Sequence, residues 1–160
     1  EAQSTLELRG SVIATANNTG ANGEIKQITF TVANVLGGEA MDFTAPTIAT
    51  ANSGQAHADS NNVVVLSYID KDQRVTDLYW TKLAVGKDDG DDLLESNEKF
   101  QITVGSDTVS SAGGNLCDAL TTSALGANEQ FTIEVKPPVG AILQIERTTA
   151  PYIDTIMNLH

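Results

Sequence analysis

The residues whose types and spacing suit chemistry lie in one segment, Gly86 to Glu98, reading GKDDGDDLLESNE. Asp88, Asp89, Asp91, Asp92 and Glu95 bring five carboxylates into eight residues. Two unit charges ~6 Å apart repel by about 0.7 kcal/mol even in water, so several such pairs are costly together. A hard divalent cation removes that cost, and Ca2+ takes roughly six to eight oxygens from short loops of this kind. The segment therefore points to one structural cation, Ca2+ or Mg2+. Asp89, Asp91 and Asp92 are the expected ligands, with Glu95 or a carboxylate from another loop completing the shell. The spacing departs from the EF-hand, which wants acids at alternate positions before a glycine. The competing reading is a solvated acidic turn in which Asp91 or Asp92 opens a short helical turn. Asp70 and Asp72 form a second acidic turn, whose distance from the first the sequence does not fix.

Other residues carry weaker signals. Asn17-Asn18-Thr19 satisfies the N-glycosylation triplet, which also arises as an ordinary polar turn. His57 and Asp59 sit two apart in a polar stretch with no third partner recognisable, and read as a solvated loop. Cys117 is the single cysteine, so no internal disulfide forms, and a solitary thiol is expected to be a small buried group. Trp80 beside Tyr79 suits a sugar-binding platform, although a lone tryptophan in a β-sandwich is more often core. There is no G-x-S-x-G, no H-E-x-x-H and no Cys–His signature, so an enzyme is not expected.

Strands must position these groups. Leu6 and Leu8 alternate with Glu7 and Arg9 in a first strand over Thr5–Ala16, with Gly10 placed for a bulge. Residues 17–23 read as a loop, and Glu24–Val35 as the partner strand of a long hairpin with Ile28, Phe30 and Val32 on one face. A short strand is expected within Met41–Ala49, and the apolar run Val63–Ile69 reads as a central strand covered on both faces. Arg74–Val85 reads as one strand, with bulk on both faces. Phe100, Ile102 and Val104 point inward from another over Lys99–Val104. Leu116–Leu120 is a short strand or one helical turn. Phe131, Ile133 and Val135 then alternate up to Pro137-Pro138, a rigid corner for passing the chain between edges or sheets, before a second run through Leu143 and Ile145. Tyr152–His160 has helix-like apolar spacing but also suits a docked extended tail. With frequent turn signals and no long periodic helix, the fold expected is all-β: an antiparallel sandwich or barrel of about eight to ten strands.

At 160 residues the chain suits one domain, which buries roughly 70% of its unfolded surface. Its net charge of −12, from 21 acids and 9 bases, makes nucleic acid and anionic lipid poor partners and suits a protein displayed outside a cell. No run approaches the ~20 apolar residues that cross a bilayer, so no membrane contact is expected of this segment. Glu1 opens the chain without an initiator methionine, consistent with processing or truncation.

The segment Lys136-Pro-Pro-Val-Gly-Ala, followed by Ile145-Glu-Arg-Thr-Thr-Ala-Pro, resembles the C-terminal motif of archaellins, the flagellin-like subunits of archaeal swimming filaments. Agreement is looser in Ile28–Asn34 and Glu98–Val104. The resemblance implies the globular head of a filament subunit, extracellular and exposed on the filament surface. It further implies assembly with copies of itself, chiefly through a long apolar pilin-like N-terminal helix that this sequence does not contain. It also strengthens the glycosylation reading at Asn17. The alternative is a secreted β-sandwich that recognises carbohydrate or a partner protein.

Overall fold

The computed structural model describes residues 6–34, 39–86, 90–96, 98–138 and 140–160. Among them are eleven strands and one short helix, and every pairing of the strands is antiparallel. The longest pair is the expected hairpin, β1 (Leu6–Asn18) with β2 (Glu24–Asn34). Its register steps from Arg9↔Thr31 to Ile13↔Thr29, so Gly10, Ser11 and Val12 stand opposite Phe30 alone. Gly10, at φ 73°, makes that bulge, as its position in the sequence suggested. The strand runs two residues past the expected end at Ala16, because Asn18 still pairs with Glu24. Asn17 therefore belongs to β1 and not to the loop. The remaining turn is tied to the end of the chain through Gly20↔Ile153.

Two sheets share the core. The larger has the order β11-β1-β2-β8-β6, in which β6 is Trp80–Val85, β8 is Lys99–Val104 and β11 is Ile156–Asn158. The smaller is β10-β9-β4-β5, built from β4 (Val65–Ile69), β5 (Arg74–Val75), β9 (Gln130–Lys136) and β10 (Leu143–Thr148). Ile28, Phe30, Ile102 and Trp80 from the first sheet and Leu66, Tyr68, Ile133 and Ile145 from the second are buried in one cluster. Burying side chains of this size contributes about 1.5–3 kcal/mol each, which is why alternation fixes the inward face of both sheets. The arrangement is a β-sandwich. A two-stranded ribbon of β3 (Met41–Asp42) and β7 (Leu93–Leu94) adds Met41, Phe43 and Leu94 to the same core.

Four expectations about the strands change. The run Arg74–Val85 is not one strand: β5 ends at Val75 in the small sheet and β6 begins at Trp80 in the large one. Asp77, at φ 57°, turns the chain between them, and Leu78, Tyr79 and Trp80 are buried in succession as it crosses. Pro137-Pro138 does not pass the chain between sheets; β9 and β10 pair with each other, from Leu143↔Val135 to Thr148↔Gln130. The expected strand in Met41–Ala49 reduces to Met41–Asp42. β4 does have a neighbour on each side, but its outer face carries the buried Ser67, held by Lys136, while Val65 and Ile69 are half-buried.

Two alternatives left by the sequence resolve. Leu116–Ala119 is one helical turn, α1, capped by Asn115: its side chain accepts from Cys117 N at 2.8 Å while Asp118 accepts from Asn115 N at 2.9 Å. The C-terminal residues form a docked extended tail, with Met157 opposite Ala14, and no helix.

Candidate functional site

The described part of the acidic segment, residues 90–96 and 98, folds as a loop around β7. Pairing of Leu93 with Asp42 and of Leu94 with Met41 sets the backbone, and Phe43 N donates to Asp92 O at 2.8 Å. Asp91 Oδ1 accepts from Leu93 N at 3.0 Å, an Asx turn that starts the ribbon. The next turn closes with Glu98 N donating to Glu95 O at 3.0 Å, and Glu95 N donates in return to Glu98 Oε1 at 3.0 Å. Oxygens of Asp91, Glu95 and Glu98 thereby come within 4.8 Å of one another, and Glu98 is only 6% exposed. Three carboxylates this close, one of them buried, form a hard oxygen donor set suited to Ca2+ or Mg2+.

The set overlaps the expected one without matching it. Asp91 and Glu95, both among the expected ligands, lie together. Asp92 does not join them, because it forms an ion pair with Lys82 of β6. Asp89 lies outside the described residues. Glu98, the last residue of the segment, was not among the expected ligands. Its spacing of three from Glu95 across a turn was the available signal. Asp70 and Asp72 are engaged elsewhere: Asp70 accepts from Tyr68 Oη at 2.7 Å, from Asp72 N at 2.8 Å and from Gln73, and Asp72 pairs with Lys71. Burial pushes the Asp70 carboxyl up, but the hydrogen bonds from Tyr68, Asp72 and Gln73 outweigh it and hold the group below its usual range.

The remaining candidates separate cleanly. Asn17 is exposed near the tip of the β1–β2 hairpin. His57 Nδ1 accepts from Asp59 N at 3.0 Å and lies 4.0 Å from the Asp59 carboxylate, a local loop contact. Cys117 is half-buried, and burial, followed by the neighbouring Glu24 and Asp118, pushes its thiol up to about 11. Such a thiol carries little thiolate at neutral pH and makes a poor nucleophile. Trp80 is fully buried, with its ring edge-on to Phe43 at 6.0 Å, and Tyr79 is 6% exposed against Gly113. Neither ring presents a flat face to solvent, which removes the basis for a sugar platform at this pair.

A family model for archaeal-type flagellin matches residues 1–147. This chain belongs to the archaeal-type flagellin family. It is 32% identical over 159 residues to probable flagellin 2 of Archaeoglobus fulgidus, a match covering 94% of this chain and 68% of that protein. Probable flagellin 1 of the same organism is also 32% identical, over 166 residues, covering 99% of this flagellin and 72% of the relative. Among solved structures, archaeal flagellin FlaB1 of Methanocaldococcus jannaschii has a similar fold. The TM-score is 0.66 at 12% identity, covering 98% of this chain and 96% of that one. The archaeal flagellum of Methanospirillum hungatei strain JF1 gives a TM-score of 0.55 at 17% identity, covering 92% of this chain and 66% of that one. Flagellins of this family are structural filament proteins and not enzymes, and their filament lies outside the cell.

Proposed function

We propose that this flagellin is a structural subunit of an archaeal motility filament, and that the sandwich is the head exposed on the filament surface. The match to the flagellin family across residues 1–147 carries this reading. In it, the family's apolar pilin-like helix supplies the main assembly contacts, and the head, in a chain of net charge −12, forms a solvated outer layer. Mass spectrometry of filaments sheared from the source cells should find this chain as a major component. The same experiment reads the modification we assign to Asn17, whose exposure supports glycan attachment. The Asn17 peptide is expected to carry glycan, and Asn17→Gln to remove it; a wholly unmodified peptide in native filaments would end that assignment.

The reading of the acidic loop is a structural cation held by Asp91, Glu95 and Glu98, stiffening a surface loop next to the β3–β7 ribbon. A ligand at a hundred times its dissociation constant stabilises the folded state by about 2.7 kcal/mol. Excess chelator should therefore lower the melting temperature by several degrees. Asp91→Asn combined with Glu95→Gln should abolish that sensitivity, whereas Asp92→Asn, at the residue paired with Lys82, should keep it. Identical melting curves in chelator and in excess Ca2+ would leave a solvated acidic turn.

A further inference from the structure

The register of the five-stranded sheet places a particular set of side chains on its outward face. One row across the sheet is Ile13–Thr29–Thr103–Thr81, and the next is Arg9–Thr31–Gln101–Leu83. Thr15 beside Gln27, with Ile156 opposite Thr15 on β11, begins a third. These positions are all half-buried or exposed, and Leu83 and Ile156, at the two edges, are 64% and 66% exposed. The centre is a field of threonines, in which Thr29 and Thr103 hydroxyls already meet at 3.4 Å.

Charged residues are sparse on this face. The adjoining row, Glu7–Ala33–Lys99–Val85, contributes one acid, and Glu7 is ion-paired with Arg9 at 2.6 Å. Among the described residues Lys99 has no ion-pair partner, so Arg9 and Lys99 against Glu7 leave these four rows weakly positive in a chain of net charge −12. The outward face of the small sheet is of another kind, with Arg74, Glu134 and Lys136 in ion pairs and Glu146 exposed. Copies that are acidic overall repel each other through most of their surfaces. A near-neutral face lets a neighbour approach closely and sets Lys99 against its acidic remainder. Threonine also loses little side-chain freedom on being covered.

Five strands spaced ~4.8 Å apart and about 20 Å long offer roughly 450 Å² per copy, some 900 Å² in total, below the ~1,200 Å² of stable interfaces. Contact of that size needs a high effective concentration, which a filament supplies. We propose that this threonine-rich face is where the head meets a neighbouring copy of the same chain; the proposal rests on the filament reading.

Single cysteines placed in the full-length flagellin, with Cys117→Ala as background, test it. Thr103→Cys marks the centre of the face and Glu146→Cys the opposite sheet. In assembled filaments, maleimide labelling of Thr103→Cys should slow by about tenfold or more relative to the isolated head, while Glu146→Cys changes by less than about twofold. Independently, Thr81→Glu with Leu83→Glu, both at exposed positions, should leave head melting unchanged and reduce filament formation by about tenfold. Unslowed labelling at Thr103→Cys, or normal filament yield from the double variant, would overturn the proposal. Protection that appears only when a second protein co-purifies would assign the face to that protein and also overturn it. Failure of the unsubstituted chain to form filaments would instead defeat the filament reading.

Discussion

Trp80→Ala is expected to destabilise the head by about 3–5 kcal/mol, the cost of emptying a large aromatic site in a packed core. For a domain of this size that is a fall in melting temperature of roughly 6–20 °C. Trp80 is fully buried where the chain enters the large sheet, opposite Val104 in β8. Phe43 packs edge-on against it and, at 5.8 Å, against Phe100, so one side chain joins the ribbon to both strands. Its indole Nε1 is buried without a hydrogen-bond partner among the described residues. An unsatisfied buried donor costs about 1–3 kcal/mol, so Trp80→Phe should be much milder than Trp80→Ala. Thermal unfolding of the three proteins measures this directly. A Trp80→Ala variant melting within about 2 °C of the parent would mean that the indole is not a core anchor.

Gly114→Ala is the second change with a large expected effect. Two loops cross here with no room between them: a Cβ on Gly114 would lie 2.3 Å from Gly54 N and 2.4 Å from Asn52 O. Those are backbone atoms, which cannot swing aside. The crossing is tied by Gly54 N donating to Gly113 O and Gly113 N donating to the Asn52 side chain, both at 2.9 Å. Gly114 also sits at φ 86°, which an L side chain rarely adopts. The combined clash and strain should cost about 2–4 kcal/mol. Gly10→Ala is the comparison, because Gly10 has a similar φ of 73° but nothing within 4 Å of an added Cβ. Its loss should be nearer 1 kcal/mol. Equal losses in the two variants, read by denaturant unfolding, would show that the close approach contributes nothing.

What could be read from the sequence follows from where a one-dimensional signal exists. Alternation has a physical cause in the pleat, so the β1–β2 hairpin and the inward set Phe100, Ile102 and Val104 were legible. Arg74–Val85 was not, because apolar residues on both faces look alike whether a strand is doubly covered or leaves one sheet for another. Nothing local marks Asp77 as the crossing point; its positive φ precedes Leu78, Tyr79 and Trp80, which are buried in succession. Pro137-Pro138 signalled the end of a strand correctly, but not where the next strand would pair. At the acidic loop, counting carboxylates found the segment and two of the clustered residues. It could not foresee that Lys82, ten residues upstream and on another strand, would take Asp92, or that Glu98 would turn inward. The threonine face was invisible for the same reason: its rows are assembled by register between β1, β2, β8 and β6, which no single segment contains.

Helical reconstruction of filaments sheared from the source cells tests the assignment of this chain as a filament head most directly. The expected map has an outer layer of β-sandwiches into which β1–β11 fit with the five-stranded and four-stranded sheets distinguishable. In the same map the exposed Asn17 should face solvent, with density extending from it. An outer layer of a different fold, in filaments whose peptides do not include this sequence, would contradict it.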